Sequence, residues 1–141
     1  MMNEIACVDT NLFIRIFTQD DPEQAEAALS VFREAANGGL TLIINDLIIA
    51  EIIWVLESAY HLDPSHISQQ VLQFLNTTGL KVKPADLRTQ TRALALYVEK
   101  NIDYTDAYIA CWMKEHDISI IYTFNKRHFS RVDGIEVRVP I

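Results

Sequence analysis

The sequence predicts an α/β fold, with a mainly parallel sheet and helices on both of its faces. Three observations lead there. Short apolar runs of strand length alternate with longer stretches of helical periodicity. The strand runs are apolar with little alternation, as expected for strands covered on both sides. Residues that start and stop helices stand at the junctions between the two kinds of segment. At 141 residues the chain is long enough for a proper core, and residues 1–141 are expected to form one domain.

Glu4 to Val8 reads as the first strand. Pro22 to Ala36 (PEQAEAALSVFREAA) has helical periodicity, opens on proline and is stopped by Gly38-Gly39. Leu40 to Ile44 is a short β-rich run. Asn45 or Asp46 then caps a helix to about Tyr60, and N-cap duty is the most economical role for Asp46. Asp63-Pro64 opens a helix that ends near Gly79, and Leu80 to Lys83 makes a short strand. Residues 85–100 read as an amphipathic helix and Tyr104 to His116 as another. Ile118 to Tyr122 (ISIIY) is an apolar strand, and Glu136 to Val139 the last one. No repeat, low-complexity tract or linker interrupts this order.

Half of the residues are hydrophobic, with only four glycines and four prolines, so an ordered globular chain is expected. The most apolar window, Leu40 to Leu56, is broken by Asn45, Asp46 and Glu51 and makes a poor membrane span. No N-terminal stretch has the basic start and small-residue cleavage site of a secretory leader, which points to the cytoplasm. Cys7 and Cys111 sit inside apolar patterns and fit buried free thiols in a reducing compartment. The net charge of −7 argues against indiscriminate coating of nucleic acid. Its distribution is uneven. Residues 1–70 hold two basic and eleven acidic side chains (−9), whereas residues 71–141 hold ten basic and eight acidic (+2), so a polyanion would lean on the C-terminal half.

Sites in open parallel sheets form beyond the C-terminal ends of the strands. Those exits here are Asp9-Thr10-Asn11, Asn45-Asp46 and Thr123-Phe124-Asn125, and two helices add Glu51 and the pair Asp103 and Asp106. Each has an ordinary reading. Asp9 serves as a turn residue, while Asp103 at an N-cap and Asp106 three residues on would form a capping box. Glu51 is harder to dismiss, because in IIAEIIWVL no wide polar face is available to solvate it. Carboxylates gathered in one crevice repel one another unless a cation intervenes, and hard divalent cations prefer oxygen ligands. The four histidines (His61, His66, His116 and His128) lack chelating spacing, which disfavours a zinc site.

The segments VDTNLFIR, IIAEIIWVL, DYTDAYIACWMKEHD and IYTFNKRHF, in this order and at these distances, resemble the PIN domain family, in particular its VapC-like toxins. The resemblance covers essentially the whole chain. It implies a three-layer α/β/α sandwich and a Mg²⁺- or Mn²⁺-dependent endoribonuclease cleaving RNA phosphodiesters. It assigns the metal to Asp9, Glu51 and Asp106, with Asp103 as a further acid of the catalytic group that positions metal-bound water. Thr10, Asn11, Thr123 and Asn125 become supporting residues. Asn125 departs from the pattern, since many relatives carry aspartate there; an amide adds no charge, which puts a second metal in question.

The resemblance also implies a homodimer and a cognate antitoxin. The helices bearing Trp54, Val55 and Tyr60, and Leu72, Phe74 and Leu75, are apolar enough to supply such surfaces, against plain core packing for most of these residues. Just past the site, Lys126, Arg127, His128 and Arg131 are either a solvated loop or a guide for RNA phosphate. Two other readings compete. One is a PIN-fold binding module with weak or lost catalysis. The other, a phosphoacceptor signalling domain, fares poorly, because the first strand exit offers one acid and the last no lysine.

Overall fold

β1 (Glu4–Val8) lies at the centre of the sheet, and the last three of its residues are sealed from solvent. The structure, a computed structural model, describes residues 3–127 and 129–141. After β1 come α1 (Thr10–Thr18), α2 (Pro22–Ala36), β2 (Leu40–Ile44), α3 (Asp46–Ser58), α4 (Pro64–Leu75) and β3 (Leu80–Val82). The chain continues with α5 (Leu87–Lys100), α6 (Tyr104–Glu115), β4 (Ile120–Tyr122), a short 3₁₀ turn at Phe129–Arg131 and β5 (Glu136–Arg138). All four strand pairings are parallel, in the order β3-β2-β1-β4-β5.

The chain therefore steps outward from β1 to β3, then returns across the sheet to β4. Right-handed crossovers put α1–α4 on one face and α5–α6 on the other. The helix contacts divide the same way: α1 touches α2 and α3, α3 touches α4, and α5 pairs with α6. On the first face Phe13 meets Phe32 at 5.2 Å and Phe74 at 5.1 Å, edge to face. On the second, fully buried Trp112 donates its indole N–H to the Lys83 carbonyl at 3.0 Å, tying α6 to the exit of β3. Both cysteines are buried and unpaired with each other. Among the described residues no helix is long and apolar enough to cross a membrane.

Several expectations change in detail. Asn45, not Asp46, caps α3: its side-chain oxygen accepts the Ile48 N–H at 2.9 Å, and Asp46 is the first helical residue. α4 stops at Leu75 rather than near Gly79. Asn76 and Thr77 turn their side chains back and donate to the Leu72 and Gln73 carbonyls, and these bonds replace another helical turn. The capping box expected at Asp103 is not there, since Asp103 stands at the N-cap of α6 without a side-chain cap bond. A capping box does form at α5, between Asp86 and Thr89. Finally, α5 is not amphipathic in the ordinary sense: its outward side carries Leu87, Leu94 and Val98, all exposed.

Candidate active site

β1 and β4 are neighbours, yet the crossovers leaving β1 run to the opposite side of the sheet. A crevice opens beyond the strand ends at such a switch point. Asp9 is the first residue past β1 and Thr123 the first past β4. The Asp9 N–H donates to the Tyr122 carbonyl at 3.0 Å, which continues the ladder and fixes the backbone there. The carboxylate is fixed as well. Oδ1 accepts the Thr10 N–H at 2.9 Å and Oδ2 accepts the Thr123 hydroxyl at 2.7 Å. Asp9 is thus both N-cap of α1 and a carboxylate delivered to the crevice.

Glu51 comes from α3, on a helix whose Ile48, Ile52 and Leu56 are buried. It reaches the same place at the edge of that apolar face. Its Oε1 accepts the Thr10 hydroxyl at 2.8 Å, so Thr10 braces Asp9 through its backbone and Glu51 through its side chain. Asp103 arrives as the N-cap of α6 and Asp106 on its first turn. A cleft of about 190 Å³ is lined by Asp9, Thr10, Asn11, Glu51, Asp103, Asp106 and Asn125, with Val55 and Phe129 as its apolar wall. All four expected acids face it. Val55 was readable as a neighbour of Glu51 one helical turn on. Nothing in the sequence marked Phe129, which reaches the cleft only through the 3₁₀ turn.

The acids are under electrostatic pressure. Burial pushes the Asp9 carboxyl up to about 6; the Thr123 hydroxyl opposes that rise, and the charge of Asp106 adds to it. Glu51 is raised too, first by burial, against the Thr10 hydroxyl and with the charges of Asp9, Asp106 and Asp103. A divalent cation held by oxygen donors would offset this burial and repulsion, and the donor chemistry suits one. The acids surround the cleft without closing on a point: among the described residues no three His, Cys, Asp or Glu side chains are placed to grip one ion together.

The other expected residues fall differently. Asn125 lines the cleft, and its side-chain oxygen accepts the Arg127 N–H at 3.0 Å, which ties the amide to the adjoining loop. Lys126 and Arg127 are exposed on the adjoining loop, outside the lining. Arg131 donates to the Asn101 carbonyl at 3.5 Å, at the end of α5. His128 lies outside the described residues. Trp54 and Leu72 are exposed, whereas Val55, Tyr60, Phe74 and Leu75 pack against the core. A larger cavity of about 800 Å³ opens between the start of α2 and Val139–Ile141, and none of Asp9, Glu51, Asp103 or Asp106 lines it.

A family model described as the PIN domain matches residues 6–135. The chain belongs to the PIN domain family. Solved PIN-type structures share the fold across nearly their whole length. VapBC2 of Rickettsia felis, crystallised with a fragment of promoter DNA, superposes with a TM-score of 0.75 at 15% identity, over 97% of this chain and 99% of that one. VapC20 of Mycobacterium tuberculosis, a toxin that cleaves the sarcin–ricin loop, gives 0.69 at 15% identity, over 89% and 93%. A toxin–antitoxin complex of Klebsiella pneumoniae gives 0.62 at 23% identity, over 93% and 95%. No curated protein matches the sequence. At these identities the superpositions establish the PIN fold, with its three layers and all-parallel sheet, and leave chemistry to the cleft.

Proposed function

We propose that this PIN protein is a divalent-cation-dependent endoribonuclease acting as the toxin of a toxin–antitoxin pair. The observation that carries the reading is the cleft itself. Four carboxylates from β1, α3 and α6 face about 190 Å³ at the switch point of the sheet, and the most buried of them has both oxygens oriented by donors.

When bound, Mg²⁺ or Mn²⁺ supplies the means to activate water and to offset the charge that builds on a phosphodiester. Asp9, Glu51 and Asp106 would hold it, directly or through water. Thr10 N–H and the Thr123 hydroxyl lock the Asp9 carboxylate in one rotamer, and the Thr10 hydroxyl does the same for Glu51. Such outer partners matter because they orient the ligands before substrate arrives. Asp103, exposed at the mouth, positions water, and Val55 and Phe129 narrow the cleft from the apolar side. Lys126 and Arg127 meet RNA phosphate on the loop beyond Asn125. Arg131, engaged at the end of α5, is a weaker candidate for that task. The similar folds crystallised as VapBC2 and as a toxin–antitoxin complex support an antitoxin as partner.

A second reading, a binding module without catalysis, is favoured by Asn125, a neutral amide held by the loop where a further acid would add charge. One experiment separates them. Wild type and Asp9→Asn are incubated with a pool of structured and single-stranded RNA in Mg²⁺, Mn²⁺ or EDTA. The nuclease reading expects cuts that need the metal and fall at least a hundredfold in the variant. No cuts, together with no heat of Mn²⁺ binding by calorimetry, would establish the binding module instead.

A further inference from the structure

The last turn of α5 and the first turn of α6 meet in a ladder of tyrosines. Tyr97 and Tyr104 stand edge to face across that seam, with ring centroids 6.2 Å apart and planes at 87°. Tyr104 repeats the contact along α6 with Tyr108, at 6.1 Å and 63°. Burial falls steeply along the ladder. Tyr108 is 8% exposed and belongs to the core of this face, Tyr104 is half-buried, and Tyr97 is 47% exposed. Core packing accounts for Tyr108. It does not account for Tyr97, a large ring left half in water with its orientation fixed by another tyrosine.

The ladder lies beside the carboxylate cleft. Asp103, which lines the cleft, immediately precedes Tyr104. Phe129, in the apolar wall of the cleft, stands two residues before Arg131, and Arg131 donates to the Asn101 carbonyl between the two helices. Lys100 and Arg131 are both exposed there, so positive charge gathers at the open end of the ladder. Fixed aromatic rings with cations next to them suit a nucleic-acid strand whose bases are splayed out: the rings stack on bases and the cations meet phosphate. A duplex keeps its bases stacked inside and offers backbone and groove instead, so it has no use for the rings.

We propose that Tyr97 and Tyr104 form a base-stacking platform beside the cleft, with Lys100 and Arg131 as its phosphate contacts, which selects RNA that is unpaired next to the point of attack. The proposal takes its ligand class from the nuclease reading above. Neither tyrosine lines the cleft, however, so stacking is read without metal and without cutting.

Fluorescence anisotropy of the full chain in EDTA compares a labelled single-stranded RNA with a duplex of the same length, and 2-aminopurine placed in the single strand reports stacking by its quenching. Wild type is expected to prefer the single strand and to quench the probe. Tyr97→Ala, with an unchanged circular dichroism spectrum, should weaken single-strand binding about tenfold and lose the quench while keeping the salt dependence. Tyr97→Phe should keep both affinity and quench. Lys100→Ala should do the converse of Tyr97→Ala, lowering the slope of log affinity on log salt by about 0.7 with the quench retained. No binding, equal affinity for the duplex, or a Tyr97→Ala protein that binds and quenches like wild type overturns the proposal. Cutting in Mg²⁺, measured in parallel, separates this result from the nuclease reading. Cuts by a protein indifferent to Tyr97→Ala remove the platform and keep the nuclease; a Tyr97-dependent quench in a protein that makes no cuts keeps the platform and removes the nuclease.

Discussion

Asp9 is held where water cannot ease its charge. Three sealed residues precede it, two donors hold its oxygens, and Asp106 presses on it from across the cleft. Because burial raises its pKa from 3.8 to about 6, the folded protein binds this proton more tightly than the unfolded chain does. Its contribution to stability is therefore complete below the unfolded value and is lost as pH rises through the folded one. Glu51, also raised, acts in the same direction. Thermal unfolding in EDTA should show Tm falling over that window. Asp9→Asn should flatten the slope and make the metal-free protein about 2 kcal/mol more stable at neutral pH, a gap that closes in acid. The amide can keep the geometry: its oxygen accepts from Thr10 N–H, and its N–H₂ donates to the Thr123 oxygen. Added Mn²⁺ should raise Tm in the wild type and leave the variant unmoved.

At the scale of elements, the joints carry more of the specificity than the spans. Gly79 enters β3 at φ +88°, and a Cβ there would sit 2.4 Å from the Ala35 carbonyl oxygen at the end of α2. Gly38 has nearly the same φ, +87°, but open space around it. Gly79→Ala should therefore cost about 3 kcal/mol in urea unfolding, against about 1 kcal/mol for Gly38→Ala. The difference isolates backbone contact from backbone strain. Joints were also where reading the sequence went astray. Strands and helices were legible because apolar runs and helical periodicity report burial directly. Asn45 and Asp46 are both good caps, and only the bond to Ile48 N–H decides between them. The end of α4 was set by side chains of Asn76 and Thr77, which composition does not reveal. Periodicity showed that α5 had an apolar face but not that it had two. At the site, Asp9, Glu51, Asp103 and Asp106 were legible because acids at strand exits and in apolar helices need a reason. Their spacing around the cleft belongs to tertiary structure alone.

Across the whole molecule, charge is sorted by chain half, −9 against +2. Under the proposed nuclease reading, RNA reaching an acidic cleft would be led there by the cations of the second half, among them exposed Arg127. Arg127→Glu should weaken RNA affinity, and by more in low salt than in high, as measured by filter binding over a salt series; equal affinity would clear this loop of the role. The order of the strands has its own consequence for a molecule made from one end to the other. β1, β2 and β3 are complete before α5 begins, but β4 is threaded next to β1 at the middle of the sheet. The hydroxyl that orients Asp9 lies 114 residues further along the chain. A nascent chain can build three of the five strands and still own only Asp9 and Glu51 of the four cleft acids, with no Thr123 to brace Asp9. For an RNA-cutting enzyme, this late closure would protect the message from which the chain is being translated.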